Sequence, residues 1–290
     1  MKIKNFVTLL VIVLVAGCSY MMKVGVNAMT PTLQKVNDTV LRENDYELVG
    51  QGLPGQLLLI DGFLSITPDN RDLLVIAASG YCGYSLGYVE DTDPKRASAL
   101  YIKGKNYGLQ ALKQDSAFRK ALEKGKSFED AAKLIDSDTY VPALYWTAMC
   151  WGSWINLNMS DPMGMIEVPK FKALIDQLYK LNDKYAYGGA HLLLATYYAQ
   201  LPALFGGGLD KSDKEFKKAF EISQGKFLIQ YVYYAEFYAT LVKNKALFES
   251  ELKKVIDAPT DILPDQTFTN LIAKHKAEYL LKNEEKLFSY

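Results

Sequence analysis

The residues able to do chemistry fall into a few small constellations. Gly83-Tyr84-Ser85-Leu86-Gly87 has the G-x-S-x-G spacing of a nucleophile elbow, where a strand-to-helix turn exposes a serine hydroxyl. His275 follows late in the chain, in the order that a serine, acid, histidine triad needs. The elbow requires several parallel strands, and beyond Leu74 to Ala78 the sequence offers none. His275 also comes one helical turn after Leu271, where a hydrogen-bonded core histidine is the simpler reading. Gly50-Gln51-Gly52-Leu53-Pro54-Gly55 matches G-x-G-x-x-G, but no strand–helix–strand pattern surrounds it to aim amides at a pyrophosphate. Gly125-Lys126-Ser127 lacks the earlier glycine of a phosphate loop, since Lys120 stands there, and Ser127 reads as a helix N-cap. His191, after Gly188-Gly189, has no cysteine or second histidine near it in sequence. Packing or a helix-end hydrogen bond is its expected role. Acidic residues are dispersed, and no pair stands out as a glycosidase couple. No catalytic group, cofactor or metal site is expected.

Composition narrows the function further. Among 290 residues, 33 Lys and Arg balance 33 Asp and Glu, so no net field attracts a phosphate backbone and nucleic acid is not an expected partner. Hydrophobic residues make up 49%, which suits a folded globule with a large core. With only two histidines, a histidine-rich metal centre is excluded. Tyrosine is abundant, at 20 residues, and supplies apolar walls with polar tips.

The N-terminus has the form of an export signal. Lys2 and Lys4 precede an uncharged apolar run from Phe6 to Val15, short of the roughly 20 residues that span a bilayer. Val15-Ala16-Gly17-Cys18 then resembles a lipobox, in which Cys18 accepts a diacylglyceryl group and becomes the first residue after cleavage. Acyl chains anchor a protein through about 0.8 kcal/mol per buried CH₂. Ser19 after the cysteine favours the outer membrane. The expected organisation is a signal peptide over 1–17, a lipidated tether over 18–28 and a single helical domain over 29–290. Cys82 and Cys150 are read as two buried thiols in apolar helices, in a compartment that permits a disulfide.

The elements that must position these residues are helices throughout. Thr30-Pro31 reads as an N-cap followed by proline at the first turn. Asn70, Asp93 and Ser127 open further helices, and Thr139 to Leu157 is apolar nearly all round, so it must be buried on most sides. Phe171 to Leu178, Ala190 to Leu201, Phe216 to Phe220, Tyr231 to Tyr238, Phe248 to Val255 and Phe268 to Leu280 carry further helical stripes. The fold expected is all-α. Ala97-x3-Tyr101-x2-Gly104 and Ala235-x2-Tyr238 place small residues where paired helices cross, as in tetratricopeptide hairpins. Such hairpins stack into a curved or closed α-solenoid with a concave face.

Several segments occur in an order that resembles one family. They are Pro68 to Leu74, Arg96 to Tyr101 with Tyr107 to Leu112, Val141 to Trp146 running on through Trp151 to Ile155, and Gly188 to His191. Leu201-Pro202 with Gly206-Gly207, Phe216 to Ala219, and Asn270 to Ala273 with Leu280-Leu281 complete the set. Together they are similar to the T component of TRAP transporters, a tetratricopeptide-type lipoprotein. Tyr88, where another aromatic is usual, and a third glycine at Gly208 are small departures. The resemblance implies a non-catalytic, periplasmic homotrimer that docks the substrate-binding P component of an ion-coupled uptake system. It also implies a pore or cavity suited to an organic or apolar ligand. The candidate ligand- or partner-contacting residues are Tyr84, Trp146, Trp151, His191, Tyr198 and Phe205, with Gly206 and Gly207 shaping one mouth. The alternatives are a scaffold lipoprotein of outer-membrane assembly and a serine hydrolase using Ser85 and His275.

Overall fold

The computed structural model describes the backbone of residues 2–289 and the side chains of residues 20–289. The proposed lipidation site, Cys18, and the signal-peptide side chains lie outside the described side chains. Among the described residues every regular element is helical and no strand occurs. In order they are α1 (Lys2–Arg42), α2 (Tyr46–Ile66), α3 (Arg71–Tyr84) continued by a π-helical turn π1 (Ser85–Val89), α4 (Pro94–Leu112), α5 (Ser116–Glu123) and α6 (Phe128–Ala132). Then come α7 (Val141–Leu157), α8 (Pro162–Asn182), α9 (Tyr185–Gln200), α10 (Leu209–Ser223), α11 (Ile229–Tyr234) continued by π2 (Ala235–Ala239), α12 (Lys245–Asp257), α13 (Thr267–Lys282) and α14 (Glu284–Phe288). Among the described residues no helix is long and apolar enough to cross a membrane.

Local chemistry starts most of these helices where the sequence places them. The side chains of Asn70, Asp93 and Ser127 accept hydrogen bonds from the amides of Leu73 (3.0 Å), Arg96 (3.0 Å) and Asp130 (3.1 Å). Each such cap contributes about 1 kcal/mol. Thr30 is different. Rather than capping a new helix, its hydroxyl donates to the Val26 carbonyl within α1, and Pro31 lies inside that helix. Thr30 is buried and accepts a hydrogen bond from Asn70 (2.8 Å), so a tertiary contact overrides the local start signal. The expected boundary between tether and domain therefore falls within α1.

Consecutive helices pack side by side, α3 on α4, α7 on α8, α9 on α10 and α12 on α13, with α4 also packed on α7. Ala97 and Tyr101 on α4 are fully buried. A β-carbon at Gly104 would sit 2.7 Å from the Cys150 sulfur, so only glycine lets α4 approach α7 this closely. Cys82 of α3 and Cys150 of α7 form a disulfide with Cα atoms 5.4 Å apart. This corrects the expectation of two free thiols: tight α3–α7 packing brings together cysteines 68 residues apart in the chain.

The last long helix, α13, packs on α11 and α12 and also returns against α1, α2 and π1. Arg42 pairs with Asp265 (2.7 Å), Tyr46 of α2 stacks on His275 of α13 (3.9 Å between ring centres), and Lys276 reaches Glu90 (3.1 Å) and Asp91 (2.9 Å) after π1. Asn270 on the same helix is fully buried. Its side chain accepts from the Leu228 amide (2.9 Å) and donates to the carbonyls of Lys226 and Thr260 (both 3.1 Å). Asn270→Ala leaves three interior backbone groups without partners and should lower the unfolding free energy by about 2–4 kcal/mol. Urea denaturation of the mature chain checks this, and a loss below about 0.5 kcal/mol would contradict it.

Candidate functional site

A cavity of about 530 Å³ lies among α1, α3, α7, α9 and α13. Its wall includes aromatic side chains, Tyr84, Tyr101, Tyr145, Trp146, Tyr185 and Phe268 among them. Burial pushes the Tyr145 phenol up and the Tyr185 phenol up to about 12. The volume falls in the range of sites that bury a small organic molecule.

One wall of this chamber is built from unusual backbone. α9 was expected to begin at Ala190, but the chain turns through three successive left-handed residues just before it: Ala186 (φ 51°), Tyr187 (φ 58°) and Gly188 (φ 86°). Each L-residue held there costs about 1–2 kcal/mol. The turn is held from outside: Gln230, itself fully buried and oriented by Ser223 (2.7 Å), donates to the Tyr187 carbonyl (2.7 Å). Tyr187 also packs on Phe227 (5.2 Å between ring centres).

A narrow, polar cavity adjoins the chamber, and Met149 lines both. Glu90, Asn156, Gln200, Tyr233 and Glu236 line this neck. Glu90 accepts from the Tyr101 hydroxyl (2.5 Å) and from Lys276 (3.1 Å). Burial disfavours the charge on Lys276, yet Glu90, Glu236 and Asp91 together hold its ammonium well above the usual lysine range. Glu236 receives no hydrogen bond from any described side chain. Burial pushes its carboxyl up, Lys276 opposes this, and the charges of Glu90 and Asp91 add to it, leaving the value at about 7.

Beyond the neck a small cavity shares Gly152, Thr196 and Gln200 with it. That cavity in turn shares Val168, Tyr197 and Leu201 with an open groove of about 700 Å³ beside α8. Chamber, neck, small cavity and groove thus lie in series.

Two of the sequence candidates, Tyr84 and Trp146, come together on the chamber wall. Phe205 lines the outer groove and is 61% exposed. Gly206 takes φ 90°, and a β-carbon at Gly207 would run into the Leu201 carbonyl, so the Pro202–Gly208 turn at the groove's edge depends on both glycines. Tyr198 packs edge-on against Tyr197 (5.4 Å), and its carbonyl accepts from the Gly208 amide (2.8 Å). Trp151 lies in the core, edge-on to Phe128 (5.5 Å) and beneath Lys105 (4.7 Å). His191 is buried away from the chamber, its Nδ1 2.6 Å from Glu215 and its Nε2 3.5 Å from Asp183, and so links α9 to α10 and to the end of α8.

Ser85 has none of the exposure of an elbow nucleophile. It is fully buried in π1, and its hydroxyl donates to the Tyr81 carbonyl (2.7 Å). No strand precedes it among the described residues, and His275 stacks on Tyr46. Gly50, Gly52 and Gly55 lie inside α2, and Ser127 caps α6. Among the described residues no cluster of histidine, cysteine or carboxylate side chains is arranged to hold a metal.

Sequence reading missed the neck. One signal for it was available: Tyr81, Tyr84 and Tyr88 repeat at the same spacing as Tyr231, Tyr234 and Tyr238. The two triplets run into the two π-helical turns, which carry Leu86 at the chamber and Glu236 at the neck, just after Tyr84 of α3 and Tyr233 of α11. Such turns recur at functional sites because they re-aim side chains within a helix.

Fold and cavities together define an all-helical protein with a partly open chamber among its helices, lined in part by aromatic side chains. The chain belongs to the TRAP transporter T-component family, which it matches over residues 42–288, and so has an accessory role in TRAP transport. It is also similar to an uncharacterized protein of Treponema pallidum (strain Nichols), with 22% identity over 266 residues, covering 85% of this chain and 81% of that one.

The raised carboxyl of Glu236 gives a pH signature. Between the ordinary glutamate value of 4.5 and about 7, the folded protein keeps a proton that the unfolded chain has released. Stability from this group is therefore fully present below pH 4.5, declines as pH rises toward 7 and is level above it. Glu236→Gln should remove the decline, so the variant gains on the wild type between pH 5 and pH 8 in denaturation midpoints. An equal difference at both pH values would contradict this.

Proposed function

We propose that this protein is a lipid-anchored, periplasmic accessory subunit that docks the substrate-binding protein of a TRAP uptake system and passes an organic or apolar ligand through its interior. The observation that carries this reading is the series of cavities, each sharing wall residues with the next, from the aromatic chamber past Met149 to the groove beside Phe205. Family membership supports association with transporter components. The sequence supports the anchor: a signal peptide over 1–17, lipidation at Cys18 and a tether to about residue 28. The helical body over 29–290 is read as a closed array of tetratricopeptide-like hairpins, supported by the return of α13 to α1 and α2. The family resemblance further supports a homotrimer, and Ser19 after the cysteine supports the outer membrane.

Affinity capture tests the docking. The tagged mature chain should retain a TRAP substrate-binding protein of the same organism, at micromolar affinity or better by titration calorimetry. Metabolic labelling with a fatty-acid analogue should mark the full-length chain and be lost in Cys18→Ala. Absence of receptor binding by the purified, folded chain would overturn the docking, and label persisting in Cys18→Ala would overturn the anchor.

A further inference from the structure

We propose that the neck is the head-group site for an organic ammonium whose apolar body lies in the aromatic chamber. This inference rests on the reading that the chamber carries a ligand, and it names the class of that ligand. Glu90 and Asp91 at the end of π1 pair with one ammonium, Lys276 of α13, and the charge of a third carboxyl, Glu236 of π2, acts on the same lysine. Glu90 and Asp91 are engaged by Lys276, and Glu90 also by the Tyr101 hydroxyl. Glu236 is left over. It lines the neck, and no described residue donates to its carboxylate. Once Glu236 is ionised, as at pH 8, three carboxylates stand against one ammonium, and that surplus repels a carboxylate or phosphate head and favours a cation.

The rest of the neck suits a cation as well. Tyr233 and Phe237 stand on the same wall with ring centres 5.4 Å apart, edge to face, which offers π-electron density to an ammonium beside the carboxylate. The side-chain amides of Asn156 and Gln200 make no hydrogen bond to a described residue, and their oxygens are available as further acceptors. Met149 lines both this polar end and the chamber, and the proposal places the charged end of one molecule on one side of it and the apolar end on the other. The same lining has no arrangement suited to a metal ion among the described residues.

Three eight-carbon probes test this with the mature protein: n-octylammonium, n-octanoate and octan-1-ol, titrated calorimetrically at pH 8. Octylammonium should bind at least tenfold more tightly than octanoate. Glu236→Gln should weaken octylammonium at least fivefold and leave octan-1-ol unchanged, which also reports that the variant is folded. Glu236→Asp, which keeps the charge, should retain the preference for the ammonium. Equal or tighter binding of octanoate, an unaffected Glu236→Gln, or no binding of any probe to the wild type would each overturn the proposal. Receptor capture is measured on the same preparations. Capture without ammonium preference defeats the ligand class alone, whereas loss of capture by the wild type defeats the docking.

Discussion

Everything in this structure depends on the buried contact between Lys276 and the carboxylates of Glu90 and Asp91. An ammonium this deeply buried carries a desolvation cost of several kcal/mol, offset only if good partners meet it. Those partners lie at the end of π1, in the first third of the chain, while the lysine lies on the last long helix. The pairing therefore ties the end of the chain to its beginning beside the neck, which Glu90 lines. It also draws a third carboxyl, Glu236, into the same field at the neck, where burial and the charges of Glu90 and Asp91 outweigh Lys276 and push it up to about 7. Closure of the fold and polarity of the cavity thus come from one cluster.

Aromatic packing completes the closure. Tyr46 stacks on His275, and the hydroxyls of Tyr46 and Tyr88 bond the backbone of Gly87 and Tyr46, so α2, π1 and α13 meet in one aromatic seam. The three groups that bond Asp61 of α2 do similar work on the neighbouring face. Lys103, Tyr81 and Tyr107 each donate to its carboxylate at 2.6–2.7 Å. Burial alone would push that carboxyl up, but these donors hold it below the usual range. Tyrosines that bond one another's backbones or a buried acid are structural; those whose rings face the chamber, such as Tyr84 and Tyr145, are free to meet a ligand.

Local signals in the sequence foretold the helices well. Asn70, Asp93 and Ser127 cap them as their residue types suggest, and the Ala97, Tyr101, Gly104 spacing marks a real helix crossing. What could not be read there depends on contacts between distant residues. The left-handed turn at Ala186 to Gly188 is imposed by Gln230, 43 residues onward from the carbonyl it holds. The Lys276–Glu90 pair spans 186 residues, and the Cys82–Cys150 bridge spans 68. Trp151 and His191 have the composition of site residues, but packing with Phe128 and pairing with Glu215 claim them for the core. The serine of Gly83 to Gly87 was separable from a nucleophile only by its surroundings, since a helix buries what a strand-to-helix turn would expose.

The central claim is that a closed helical body holds a ligand-sized chamber leading past Met149 to a polar neck. An experimental density map of the purified mature protein tests it most directly. The account predicts α13 seated against α1 and α2, with elongated density running from between Tyr84 and Trp146 toward Met149 once an amphiphilic cation is added. A map in which side chains fill that volume, or in which α13 stands away from α2 and Lys276 from Glu90, would contradict it.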